Sequence, residues 1–159
     1  MRRSLAIVIL VSATASGCKT LTPRDPNSLY ELGEHLSRSI CSTSEVQLTT
    51  VENKHDPGQI DHIELRSCPE GSSEIYVGAS SSNPRGLAMS VEIKAPRAGL
   101  PPYLEIGAPV IGAEEALGPP ESQSSGALSY SVSQESPSDL TISVKSGRIT
   151  SVKWCFYID

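Results

Sequence analysis

The side chains in this 159-residue chain that can do chemistry are four cysteines, three histidines and a run of serines. The cysteines stand at Cys18, Cys41, Cys68 and Cys155. A thiol offers a disulfide, an acylation point, a metal ligand or a nucleophile. His55-Asp56 and Asp61-His62 put four potential metal ligands within eight residues, around a predicted hairpin turn. Zinc needs three or four convergent ligands, and His35 belongs to a separate helical segment, so neither a metal nor any other cofactor is expected. Covalent catalysis needs a base beside the nucleophile. Ser80-Ser81-Ser82 falls in a polar loop and no G-x-S-x-G elbow is present. Spacing brings no histidine to Cys155, and Glu114-Glu115 reads as the solvated side of a short helix. No catalytic residue is assigned, and the expectation is a protein that is not an enzyme.

The N-terminus carries an address. Arg2 and Arg3 precede the apolar stretch 5–11, and small residues follow from Ser12 to Gly17. This is the layout of a secretory signal, and its apolar part is too short to span a bilayer. Ala15-Ser16-Gly17-Cys18 resembles the lipobox of bacterial lipoproteins, with Ala15 where that family usually has Leu. The resemblance implies that residues 1–17 are removed as a signal peptide and that Cys18 becomes an acylated N-terminus. Each buried CH₂ of an acyl chain such as palmitate contributes about 0.8 kcal/mol, and more than one chain makes the anchoring stable. In Gram-negative members of that family an Asp after the Cys favours the inner membrane. Lys19 therefore implies the outer membrane, facing the periplasm. An ordinary secretory signal is the alternative.

Composition narrows the partners. The chain has 13 Lys+Arg against 18 Asp+Glu, a formal charge of −5, with 38% hydrophobic and 4% aromatic residues. Removing residues 1–17 takes away Arg2 and Arg3 and no acid, which leaves 11 bases against 18 acids and a balance of −7. Such a surface argues against nucleic acid and against adsorption to anionic lipid beyond the acyl anchor.

The elements follow from periodicity. Residues 18–27 hold the lipidated Cys18 and a tether stiffened by Pro23 and Pro26. Ser28-Leu29-Tyr30-Glu31 has a capping-box pattern, and Leu29, Leu32, Leu36 and Ile40 recur at helical spacing, predicting a helix over 28–40. The period then falls to two. Val46/Leu48 and Ile63/Leu65 flank the turn 53–58 as a hairpin, and Ile75 and Val77 follow a second turn at 69–72. After the polar loop 79–86, Leu87, Met89, Val91 and Ile93 alternate strictly. The Pro-rich stretch 95–102 is the internal boundary, with a short strand expected around Leu104 and Ile106. Val110, Ala113 and Leu117 share a helical face that stops at Gly118-Pro119. Polar residues 121–126 lead into three strands carrying Leu128/Tyr130/Val132, Leu140/Ile142/Val144 and Val152/Trp154/Phe156/Ile158, with a turn at Ser146-Gly147. The expected fold is α+β: an antiparallel sheet with two short helices packed on one face. Its parts are 28–95, a helix plus strands, and 103–159, a short helix plus a three-stranded sheet, the two forming either separate units or one continuous domain.

The segment from Leu117-Gly118-Pro119-Pro120 through Tyr130, Leu140–Val144, Gly147 and Trp154 resembles the BamE/SmpA-type outer-membrane lipoproteins and similar β-lactamase-inhibitor-protein modules. That resemblance covers about residues 105–158 and implies a non-catalytic module that binds envelope proteins. It transfers no functional residue.

With Cys18 acylated, three thiols remain and allow three pairings. Cys41 ends the predicted helix and Cys68 ends a hairpin strand, so a helix packed on its own sheet can bring them together; closing that loop contributes about 3 kcal/mol. Other pairings stay open, and Cys155 is expected to be a buried small apolar side chain, with a linking or a reactive thiol as the alternatives. On the last strand, Lys153 and Tyr157 lie opposite the core residues and form a candidate protein-docking face. The expected function is a periplasm-facing outer-membrane lipoprotein that binds or scaffolds an envelope protein. Alternatives are an inhibitor or immunity protein that plugs a periplasmic hydrolase with a loop such as 79–86, and a small enzyme.

Overall fold

Alternating apolar and polar residues fold into strands when one face of a sheet is covered and the other is open. The computed structural model describes residues 26–80, 83, 85–134 and 136–158. The expectations for 1–17, Cys18 and most of the tether lie outside that range. The elements run α1 (Pro26–Ser39), β1 (Val46–Glu52), β2 (Ile60–Cys68), β3 (Gly71–Val77), β4 (Leu87–Ile93), a 3₁₀ turn (Pro102–Leu104), α2 (Val110–Leu117), β5 (Ser122–Ser124), β6 (Ala127–Ser131), β7 (Asp139–Lys145) and β8 (Arg148–Cys155). This is the α+β fold expected from the periodicity. All eight strands belong to one antiparallel sheet in the order β1-β2-β3-β4-β8-β7-β6-β5.

The two stretches on either side of the Pro-rich boundary meet inside that sheet. β4 pairs with β8, placing Val91 opposite Trp154 and Ile93 opposite Val152. Cross-strand partners share a face, so Val91, Ile93, Val152, Trp154, Leu140, Ile142, Leu128 and Tyr130 all point the same way and are buried. Burying each large apolar side chain contributes roughly 1.5–3 kcal/mol. α1 and α2 both cover this face. Leu29 and Leu36 of α1 and Ala113 of α2 enter the one core. The indole N–H of Trp154 donates to the carbonyl of Leu29 at 3.0 Å, which satisfies the one polar atom of a wholly buried ring. Phe156 meets Tyr30 edge to face, with ring centroids 5.2 Å apart.

Several local expectations change. α1 begins at Pro26, so Ser28 lies within the first turn and is not the N-cap. Proline suits the first turn of a helix, where its missing N–H has no helical partner. Leu104 and Ile106 are not in a strand; Pro101 and Pro102 fix φ near the helical range and start a 3₁₀ turn. Within the polar stretch 121–126, Ser122–Ser124 adds a short edge strand on β6, so this part of the sheet has four strands and not three. The Ser146-Gly147 turn is as expected, with φ of 52° and 74°, the two positive angles of a tight hairpin turn.

Candidate functional site

The side of the sheet away from the helices carries a groove, and a β-bulge is one reason it exists. Strict alternation would bury Leu87, Met89, Val91 and Ile93 together. In the ladder between β3 and β4, however, Glu74 pairs with Ser90 and Ile75 with Ala88, so Met89 is an extra residue. The bulge shifts the pattern by one. Ala88 becomes buried, while Leu87 stands 46% exposed and lines the groove with Met89. Val51 of β1, Ile63 of β2, Tyr76 of β3 and Ile158 beyond β8 complete the apolar lining of a space of about 320 Å³, with Lys54 and His55 at one end. By periodicity Ile158 groups with the core residues of the last strand. It follows the end of β8, where strand alternation no longer governs its direction.

The groove is braced by an enclosed carboxylate. Asp61 shares its sheet face with Ile63 and is fully buried. It accepts hydrogen bonds from Asn53 Nδ2 at 2.7 Å, Gln59 Nε2 at 3.0 Å, the backbone N–H of Ala79 at 2.8 Å and the hydroxyl of Tyr76. Donation by the Tyr76 hydroxyl, then by the Ala79 N–H, holds the Asp61 carboxyl down at a pKa of about 2, against the opposing effect of burial. The same contact, burial and the carboxylate charge push the Tyr76 phenol up. Four donors occupy the carboxylate, which suits it to positioning and not to proton transfer. Asn53 also accepts from the N–H groups of His55 and Asp56, so one network fixes the β1–β2 hairpin tip and the Tyr76 ring together.

The other singled-out residues are dispersed. Cys41 and Cys68 form a disulfide with a Cα–Cα distance of 5.5 Å, tying the end of α1 to the end of β2. Cys155 is not the buried small side chain expected: it is free and exposed on the open face of the sheet, in register with Ser90 and Asp139, because it alternates with the buried Trp154. Lys153 stands on that face between Glu92 and Thr141. Tyr157, 50% exposed, lies past the end of β8 and lines a different recess with Tyr30, Glu31 and Glu34 of α1. His55 borders the groove, whereas His62 projects from the opposite face to Asp61, its neighbour in the strand. Among the described residues no three His, Cys, Asp or Glu side chains gather to hold a metal ion. Ser80 is exposed, and positions 81, 82 and 84 of the 79–86 loop lie outside the described residues.

Sequence reading missed the groove, yet one signal was present. Asp61, Ile63 and Leu65 alternate on one face, so an acid occupies a position in an otherwise apolar register. Comparison with known proteins adds no relative: no family model, curated protein or solved structure matches this chain.

Proposed function

We propose that this protein is a lipid-anchored module of the bacterial outer membrane, held on the periplasmic side through Cys18, whose folded part binds a protein partner without catalysing a reaction. The observation that carries the binding reading is the groove. Pockets that take ligands are mostly apolar, with a few fixed polar groups. Here Val51, Ile63, Tyr76, Leu87, Met89 and Ile158 supply the apolar walls, and the Asp61 network holds the tyrosine in place. The groove accepts one large aliphatic or aromatic side chain of a partner, with Lys54 and His55 beside it. The signal layout and the Cys41–Cys68 disulfide support an oxidising compartment outside the cytoplasm.

The binding test places a photo-crosslinking side chain at Leu87 and, for comparison, at Glu31 on α1, in cells expressing the full chain. A specific protein adduct at 87, absent at 31 and lost when Met89→Lys is added, is the expected result. The same adducts at both sites, or adducts indifferent to Met89→Lys in a variant with unchanged circular dichroism, refute the groove. Anchoring is read separately. Cys18→Ser should abolish incorporation of labelled palmitate and release the protein from the membrane fraction, and unchanged labelling refutes the anchor.

A further inference from the structure

We propose that β1 is the pairing edge of a two-fold dimer, in which two copies of this chain join their sheets into one continuous sheet. An open strand edge invites another strand, and proteins blunt such edges with short strands, lysine, proline, bulges or a covering element. The two edges of this sheet differ. β5 has three residues, follows Pro119 and Pro120, and ends the sheet with little backbone to offer. β1 has seven residues, Val-Gln-Leu-Thr-Thr-Val-Glu, all but Val51 exposed. It contains no lysine and no proline, and it pairs with β2 over seven consecutive positions without a bulge. Its one charge, Glu52, is at its end. Leu48 is 65% exposed on the helix side of the sheet, farther out than α1 covers.

The hydrogen-bond phase specifies the register. The N–H of Asn53 donates to the carbonyl of Gln59, so Asn53 points at the β2 side. Alternation in an antiparallel ladder then turns the backbone N–H and C=O groups of Val46, Leu48, Thr50 and Glu52 outward. An antiparallel copy centred on Thr49 pairs Leu48 with Thr50 of the second copy and Val46 with its Glu52. Every outward group then finds a partner, in about eight new hydrogen bonds. The arrangement is self-complementary, as a closed two-fold contact requires. Thr49 meets its own copy at the axis, a favourable cross-strand pair, and Gln47 meets Val51. Glu52 faces Val46, so no like charges oppose each other. The axis runs perpendicular to the sheet, and the two grooves open on the same side. Seven residues a side fall short of the roughly 20–30 of a stable interface, so the dimer is a weak one, favoured where the protein is concentrated.

The experiment uses single cysteines in the full chain carrying Cys155→Ser, under mild oxidation in intact cells. Thr49→Cys places two thiols at the axis within disulfide reach. Gln47→Cys puts them roughly 14 Å apart along the ladder, beyond the approximate 7 Å limit. The expected result is roughly tenfold more covalent homodimer for Thr49→Cys than for Gln47→Cys. Adding Thr50→Pro should abolish it, because the Thr50 N–H points outward and its loss costs β1 no bond to β2. Light scattering of the protein with its native Thr49, Thr50 and Gln47, over a concentration series, should show a monomer–dimer equilibrium that Thr50→Pro removes at unchanged circular dichroism. Equal crosslinking at 47 and 49, no homodimer at 49, a disulfide to a different protein, or a dimer untouched by Thr50→Pro each overturn the proposal.

Discussion

The same substitution, glycine to alanine, should have opposite effects in the two helices. Gly33 sits in the middle of α1, on the side pressed against β8. A Cβ added there lies 2.5 Å from Cδ1 and 2.6 Å from Cγ of Trp154, and 2.9 Å from Cζ of Phe156. Carbon atoms pack best at about 3.5–4.0 Å, so each contact is about 1 Å too short. The indole has nowhere to retreat, because Trp154 is wholly buried and its N–H is held by the Leu29 carbonyl. Overpacking of this kind costs about 1–3 kcal/mol. With the ring held, the cost falls in the upper part of that range, about 2–3 kcal/mol; alanine returns about 1 kcal/mol of helix propensity, so Gly33→Ala should lose about 1–2 kcal/mol net, a fall in Tm of roughly 4–8 °C. Among the described residues, nothing outside the adjoining turns of α2 lies within 4 Å of the place a Gly112 Cβ would take. Gly112→Ala should therefore gain about 0.5–1 kcal/mol. Urea unfolding followed by the fluorescence of the single tryptophan, Trp154, measures both. A Gly33→Ala variant as stable as the unmutated protein, or a Gly112→Ala variant that loses as much as Gly33→Ala, would refute the packing argument.

Reducing the Cys41–Cys68 disulfide, or replacing both cysteines by serine, releases a loop with a sequence separation of 27. The chain-entropy relation gives a loss of about 3.5 kcal/mol, and a urea midpoint unchanged by reductant would contradict it. The Asp61–Tyr76 contact has a pH window. Asp61 titrates at about 2 in the fold, below its ordinary 3.8, so its contribution is full above about pH 4 and disappears as pH falls toward 2. Tyr76 is raised above its ordinary 10.0, so its contribution is present below pH 10 and disappears as pH rises through the higher folded value. Tyr76→Phe removes the largest cause of the Asp61 depression and should move the acid transition to higher pH; an identical acid unfolding curve counts against the network. Ser146 takes a left-handed conformation with φ of 52°. Asparagine tolerates that better, so Ser146→Asn should raise stability by about 0.5 kcal/mol, and a lower Tm would be the contrary result.

The elements most legible in the sequence were those where one physical pattern acted alone. β6, β7 and most of β8 face one covered side, so Leu128, Tyr130, Leu140, Ile142, Val152 and Trp154 announced their burial by alternation. The disulfide was legible because helix and strand ends bracketed the two cysteines. What escaped came from interactions between strands distant in sequence. The bulge at Met89 depends on how β4 fits β3, and nothing within Leu87–Ile93 marks the extra residue. The groove combines Val51, Ile63, Tyr76, Leu87, Met89 and Ile158 from four strands and the tail, so its lining exists only in the pairing order. On helix propensity alone Gly33 is a weak point in α1, and its reason is visible only with Trp154 beneath it.

The position of β8 sets an order of events for the chain as it is made. β8 follows every other strand in sequence yet lies between β4 and β7 in the sheet. While the chain emerges from the ribosome, residues 28–95 arrive before the last four strands. They can close the Cys41–Cys68 link early, because both cysteines belong to that half. They cannot cover the inner faces of Val91 and Ile93, whose partners Trp154 and Val152 come about sixty residues later. Until then β4 is a second unpaired edge and α1 has no indole beneath Gly33. The half-made protein is thus cross-linked but unsealed, and its most adhesive interval ends only when the last strand slides into the middle.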